Sequence, residues 1–139
     1  MKLLDTNVLV YARRPKSPFH QWAVEQIANL VSTEGAAMSA ASLAELCAED
    51  GIDSAALPQE IAGFGVQVLD IPAQAAVKCG EAYREYRAKR KRHSGKDAPK
   101  MPLPDFFIGA HADLLGLEVV TNDVERYQTY FPNLTLVTP

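Results

Sequence analysis

Four acids stand where short apolar runs give way to residues that start helices. Asp5 follows Leu3-Leu4, Glu45 lies within Ser42-Leu43-Ala44-Glu45-Leu46, Asp105 follows Pro104, and Asp123 follows Val119-Val120-Thr121-Asn122. Taken singly, an acid at such a position caps a helix or meets the positive end of its dipole. Taken together they pose an electrostatic problem, because two unit charges ~4 Å apart cost about 4 kcal/mol at an effective dielectric of 20. A site that keeps several carboxylates ionised needs a compensating cation. No His or Cys cluster favours zinc, so the natural partner is a hard divalent ion with oxygen ligands, Mg²⁺ or Mn²⁺. Such an ion polarises a water as nucleophile and neutralises charge on a phosphate. The residues alone thus point to metal-dependent phosphate chemistry.

For this to hold, the fold must bring the four acids to one edge. Apolar runs at 2–5, 36–39, 66–71, 118–121 and 134–137 read as strands, the first ending at the helix-starting Asp5-Thr6-Asn7. Between them, 19–31, 42–49, about 55–62, 72–91, 104–115 and 124–130 read as helices, with Pro72 and Pro104 suited to first turns and Gly116 to a stop. Residues 93–102, polar and containing Gly95, Pro99 and Pro102, read as a mobile loop. Strands separated by helices predict a single α/β domain over 1–139, a three-layer α/β/α arrangement with a central, mostly parallel sheet. Right-handed crossovers put the helix-starting loops on the carboxyl edge, where open parallel sheets bind ligands.

The chain has 139 residues, 47% of them hydrophobic, enough to bury a core without disulfide or metal staples. Its net charge of −3 argues against nucleic-acid binding by bulk positive charge. That average conceals a basic arm. Residues 84–100 hold eight cations against two acids, so this window carries +6 and the remainder −9. Arg87, Arg90, Lys91, Arg92 and Lys96 are the candidates for holding RNA phosphates beside an acidic cleft; the alternative is a solvated helix end whose cations complement the dipole. Tyr83 reads as core, and Tyr86 as either core or base platform. His111 lies six residues beyond Asp105, about 240° around a helix, and so points away from the acids. Cys47 and Cys79 read as buried free thiols, and Trp22 as a core anchor. No export core and no ~18-residue apolar span is found, so a cytoplasmic location is expected.

The four motifs also resemble those of a known family. Leu3-Leu4-Asp5-Thr6-Asn7-Val8-Leu9 is similar to the opening motif of PIN domains, and Ser42-Leu43-Ala44-Glu45-Leu46 to the segment bearing their second acid. Asp105-Phe106-Phe107-Ile108-Gly109-Ala110-His111-Ala112 and Gly116-Leu117-Glu118-Val119-Val120-Thr121-Asn122-Asp123 are similar to their third and fourth. The resemblance spans essentially the whole chain in the family's order, and the size resembles VapC-type toxins of bacterial toxin–antitoxin pairs. It implies an endoribonuclease with Asp5, Glu45, Asp105 and Asp123 around one or two Mg²⁺ or Mn²⁺ ions. It also implies that Asn7 and Thr121 orient those acids, that the chain forms a homodimer, and that a cognate antitoxin enters the cleft. Cleavage would leave a 5′-phosphate and a 3′-hydroxyl. Gly109 departs from the pattern, where Ala is commoner, and the loop before Asp105 is unusually long and basic.

Two rivals remain at this level. An aspartyl-phosphate phosphatase of haloacid dehalogenase type would use Asp5 as nucleophile, although it usually carries a second Asp where this chain has Asn7. A non-catalytic RNA- or protein-binding module would use segment 84–100 and leave the acids as caps.

Overall fold

Local sequence sets twelve elements in a computed structural model that describes residues 1–139. In chain order they are β1 (Lys2–Leu4), α1 (Thr6–Arg13), α2 (His20–Ser32), β2 (Ala36–Ser39), α3 (Ala40–Cys47), α4 (Leu57–Gly63), β3 (Val66–Leu69), α5 (Ala73–Ser94), α6 (Pro104–Leu115), β4 (Val119–Val120), α7 (Val124–Tyr130) and β5 (Leu136–Val137). All five strands are parallel, in the order β3-β2-β1-β4-β5. The expected α/β/α class is what forms.

Strand alternation explains the layers. Leu3, Ala37 and Val119 point to one face, packing with Cys79, Tyr83, Phe106, Ile108 and Tyr127 from α5, α6 and α7. Leu4, Met38 and Val120 point to the other, packing with Val8, Ala23, Leu46 and Ile61 from α1 to α4. The central strands β2, β1 and β4 are buried on both faces, as a sheet covered on both sides requires, whereas edge strand β3 exposes Gln67. Trp22 is half-buried against the second cluster. Cys79 is buried, its thiol pushed up to about 11 by desolvation, whereas Cys47 is half-exposed rather than buried.

Three segments differ from the sequence reading. The helix-starting Asp5-Thr6-Asn7 opens a full helix, α1, over residues that show no clear helical periodicity. The next, α5, continues past residue 91 to Ser94 and stops where Gly95 takes a left-handed φ of +68°, with Lys91, Arg92 and His93 in its last turn answering the dipole. The loop after it is tethered rather than mobile: Tyr83 Oη donates to the Pro99 carbonyl at 2.6 Å and Ala98 is buried. A hydrogen bond and an apolar anchor thus fix the approach to α6.

The strand order places the reversal of winding between β1 and β4. Chain growth moves outward from β1 through β2 to β3, then returns to β4 and β5. The carboxyl ends of the two central strands are therefore free of crossing connections, which is where open parallel sheets leave a ligand crevice.

Candidate active site

Asp5 leaves β1 and Asp123 leaves the turn after β4, on either side of this crevice. Both occupy the position before a helix, yet neither side chain caps it. One hydroxyl links them instead. Thr121 Oγ1 donates to Asp5 Oδ2 at 2.7 Å and accepts from the Asp123 N–H at 2.9 Å. Thr121 is fully buried and Asp5 is 1% exposed. The other Asp5 oxygen, Oδ1, is buried with no partner. A buried carboxylate with an orphaned oxygen is costly to ionise without a compensating partner.

The remaining acids are felt electrostatically. Burial pushes the Asp5 carboxyl up to about 7, and the Asp105 charge and, more weakly, Glu45 push in the same direction, while Thr121 opposes them. Asp105 is raised chiefly by burial and also by Asp123, against the pull of Arg126. Asp5 thus feels Asp105 and, most weakly, Glu45, while Asp105 in turn feels Asp123. Glu45, half-exposed on α3, also borders an apolar cavity of about 420 Å³ bounded by Ile71, Met101 and Phe107.

Two residues of this group escaped the sequence reading. Arg126 Nη1 donates to Asp105 Oδ2 at 2.9 Å, with its guanidinium carbon 5.6 Å over the Tyr86 ring and 5.8 Å over Phe106. Tyr127 is fully buried, and its hydroxyl lies near Asp5 without a well-formed hydrogen bond to any group. Burial together with the charges of Asp5, Asp105 and Asp123 holds that hydroxyl protonated far above its ordinary range. Both residues follow Asp123 at three and four positions, the spacing that shares a helix face, which is the signal that would have found them.

Other expected participants fall elsewhere. Asn7 is exposed in the first turn of α1 and takes part in no hydrogen bond to the acids, so of the two orienting candidates only Thr121 touches them. His111 is buried with Nδ1 3.0 Å from Ser39 Oγ, and burial lowers its pKa, keeping it neutral and away from the acids. In the arm, half-buried Arg90 donates from Nη1 to Tyr86 Oη at 3.3 Å, and Lys91 pairs with Asp97 at 3.2 Å. Arg87, Arg92 and Lys96 are exposed.

Gly109, one turn after Asp105, has a packing explanation. A Cβ there would run into the Phe131 ring, which fills the space where the family pattern's Ala would put its methyl.

The donors fit a hard cation in kind: four carboxylates, one with an unpartnered buried oxygen, and Arg126 as their only ion-pair partner. As they stand, no three close around a point tightly enough to hold an ion. Arg126 occupies Asp105 in its place.

Comparison with known proteins adds the following. Residues 2–132 match the PIN domain family model. Among solved structures, a chain of VapBC2 from Rickettsia felis bound to a promoter DNA fragment superposes with a TM-score of 0.68 at 22% identity, covering 99% of this chain and 97% of its own. A chain of DNA-bound VapBC from Salmonella typhimurium gives 0.66 at 26%, covering 99% and 98%. FitAcB from Neisseria gonorrhoeae gives 0.64 at 25%, covering 98% and 96%. Against curated protein sequences the chain finds no match.

Proposed function

This chain belongs to the PIN-domain family, a family of nucleases, and on that premise we propose that it is a metal-dependent endoribonuclease acting as the toxin of a toxin–antitoxin pair. The observation that carries this reading is the Asp5 carboxylate, buried at the point where the sheet reverses its winding, coupled to Asp105 and Glu45, with one oxygen unused. Asp5, Asp105 and Asp123 would hold Mg²⁺ or Mn²⁺, as one or two ions, with Glu45 as a further ligand or as the acid that positions water. When bound, the ion would supply an activated water and neutralise charge on the scissile phosphate and the departing oxygen.

The chain's own residues prepare the site. Thr121 fixes the Asp5 carboxylate and the Asp123 backbone with one hydroxyl, so the two acids keep their relative placement while the metal is absent. Arg126 pairs with Asp105, and Asp105 would have to be shared with or freed from it to hold the ion. Arg90 and its neighbours offset the repulsion that a chain of net charge −3 would otherwise present to RNA. The matched chains that come from toxin–antitoxin complexes support a cognate antitoxin as partner, and we extend the reading to a cytoplasmic homodimer. No helix is long and apolar enough to cross a membrane. No lysine forms an ion pair with any of the four acids, which disfavours the phosphatase reading.

The test is incubation with total RNA, with and without Mn²⁺ and chelator, followed by mapping of the cut ends. Wild type should cut only with metal, leaving 5′-phosphates and 3′-hydroxyls. Asp123→Asn should lose more than about 100-fold, since even outer partners of metal sites act on the 10–100-fold scale. Because the Asp123 side chain caps no helix and its removal takes one charge from beside Asp105, stability in chelator should be unchanged or slightly raised. Cleavage that survives chelator, or that Asp123→Asn retains, overturns the reading.

A further inference from the structure

Beside the acids lies a second feature, a cavity of about 430 Å³ between the C-terminal half of α5 and α7. Three permanent cations line it, Lys89, Arg90 and Arg126, against two acids, Asp123 and Glu125. Asp123 is a wall of this cavity and a member of the acidic group, so an occupant sits directly next to the acids. Tyr86 and Tyr130 complete the relevant wall.

What the tyrosines offer decides the ligand. The Tyr86 ring is surrounded, with centroids of Tyr83, Phe106 and Tyr130 at 5.5, 5.2 and 5.8 Å and the Arg126 guanidinium over it. A nucleobase therefore finds no open face to stack on. The hydroxyl remains: it accepts from Arg90 Nη1 and keeps its own proton to donate. The cavity thus presents cations and an O–H donor, the groups that bind phosphate oxygens.

Resting on the nuclease reading above, we propose that this cavity is a phosphate subsite for single-stranded RNA. It takes a phosphodiester next to the one that faces the acids, with Lys89 and Arg90 on its oxygens and Tyr86 holding Arg90 in place. A strand whose scissile phosphate reaches the acids must carry further phosphates past them, and the cavity that Asp123 helps to wall offers cations to one of them. Arg126, between the two, neutralises Asp105 and limits the repulsion an incoming phosphate meets. Of the five arm residues expected to bind RNA, this assigns the contact to Arg90 and adds Lys89, while Arg87, Lys91, Arg92 and Lys96 lie outside the cavity.

The test measures fluorescence anisotropy of a short labelled single-stranded RNA with the full chain in chelator, where no cleavage occurs. Three variants are compared with wild type: Lys89→Gln/Arg90→Gln, Tyr86→Phe, and Arg84→Gln/Lys100→Gln. The last removes the same charge from exposed positions of the basic window outside the cavity. The first should lose about tenfold in affinity and flatten the log–log salt dependence by about 1.4, two contacts at about 0.7 each for single strands. Tyr86→Phe should lose a smaller factor without changing the salt slope, and the control pair less than about twofold. Equal losses in both double variants mean diffuse charge alone, and overturn the subsite. No loss in Lys89→Gln/Arg90→Gln also overturns it and leaves the cavity to an acidic protein segment. The nuclease reading fails separately, on absence of metal-dependent cleavage by wild type.

Discussion

The acidic group at the carboxyl edge of β1 and β4 and the basic arm ending α5 each concentrate one sign of charge, and they are built in opposite ways. Asp5 is 1% exposed, one of its oxygens has no donor, and its neighbours carry like charge. Arg84, Arg87, Arg92 and Lys96 lie in water along α5 and the loop after it, and Arg92 in the last turn even helps the dipole. Clustered exposed charge costs the fold almost nothing and so says little about purpose. Clustered buried charge costs several kcal/mol per group unless something compensates it. The energetic contrast, more than the residue types, marks the acids as a site.

The largest expected effect is on the pH dependence of stability without metal. The Asp5 carboxyl sits at about 7 in the fold against 3.8 for an ordinary Asp. The native state therefore holds its proton more tightly than the unfolded chain, and stability falls as pH rises from about 4 to about 7, by at most about 1.4 kcal/mol per pH unit, then levels. Urea unfolding in chelator should show this slope, and Asp5→Asn should flatten it. A flat wild-type profile would erase the contrast with the arm.

Arg126→Gln comes next. Removing the partner of a largely buried carboxylate should lower metal-free stability by about 1–3 kcal/mol. Titration calorimetry should meanwhile find Mn²⁺ bound more tightly, because no internal cation competes for Asp105. Weaker Mn²⁺ binding would make Arg126 a support of the metal site and not its rival. Gly109→Ala tests the packing beneath the acids: the added methyl must displace Phe131, at about 1–3 kcal/mol by denaturant midpoint. The smallest effect belongs to the arm. Arg92→Gln/Lys96→Gln, exposed and in no ion pair, should change the melting free energy by less than about 0.5 kcal/mol.

Much of this was legible in the residues. Five strands, their helical connections and the parallel sheet follow from short apolar runs between amphipathic stretches, because a strand buried on both faces leaves that pattern wherever it sits. Asp5 and Asp123 at strand ends, and Thr121 beside them, follow from the same boundaries. What went unread has local reasons. Residues 6–13 include β-branched Thr6, Val8 and Val10, which blur a helical signal that α1 settles by packing Val8 and Leu9 into the core. Residues 93–102 look mobile until α5 is seen to run to Ser94 and Tyr83 and Ala98 to hold the rest.

Composition and spacing by themselves determined which side chains could do the chemistry, because carboxylates, cations and strand ends are properties of single residues and their near neighbours. Only the tertiary structure decided which of them meet. Arg126 on Asp105, Tyr127 against Asp5 and Asp105, Phe131 over Gly109 and the cavity between α5 and α7 are contacts between different elements of the fold. Such contacts exist only once the sheet has closed and each helix has chosen its face; spacing from Asp123 can nominate Arg126 and Tyr127 but does not name their partners.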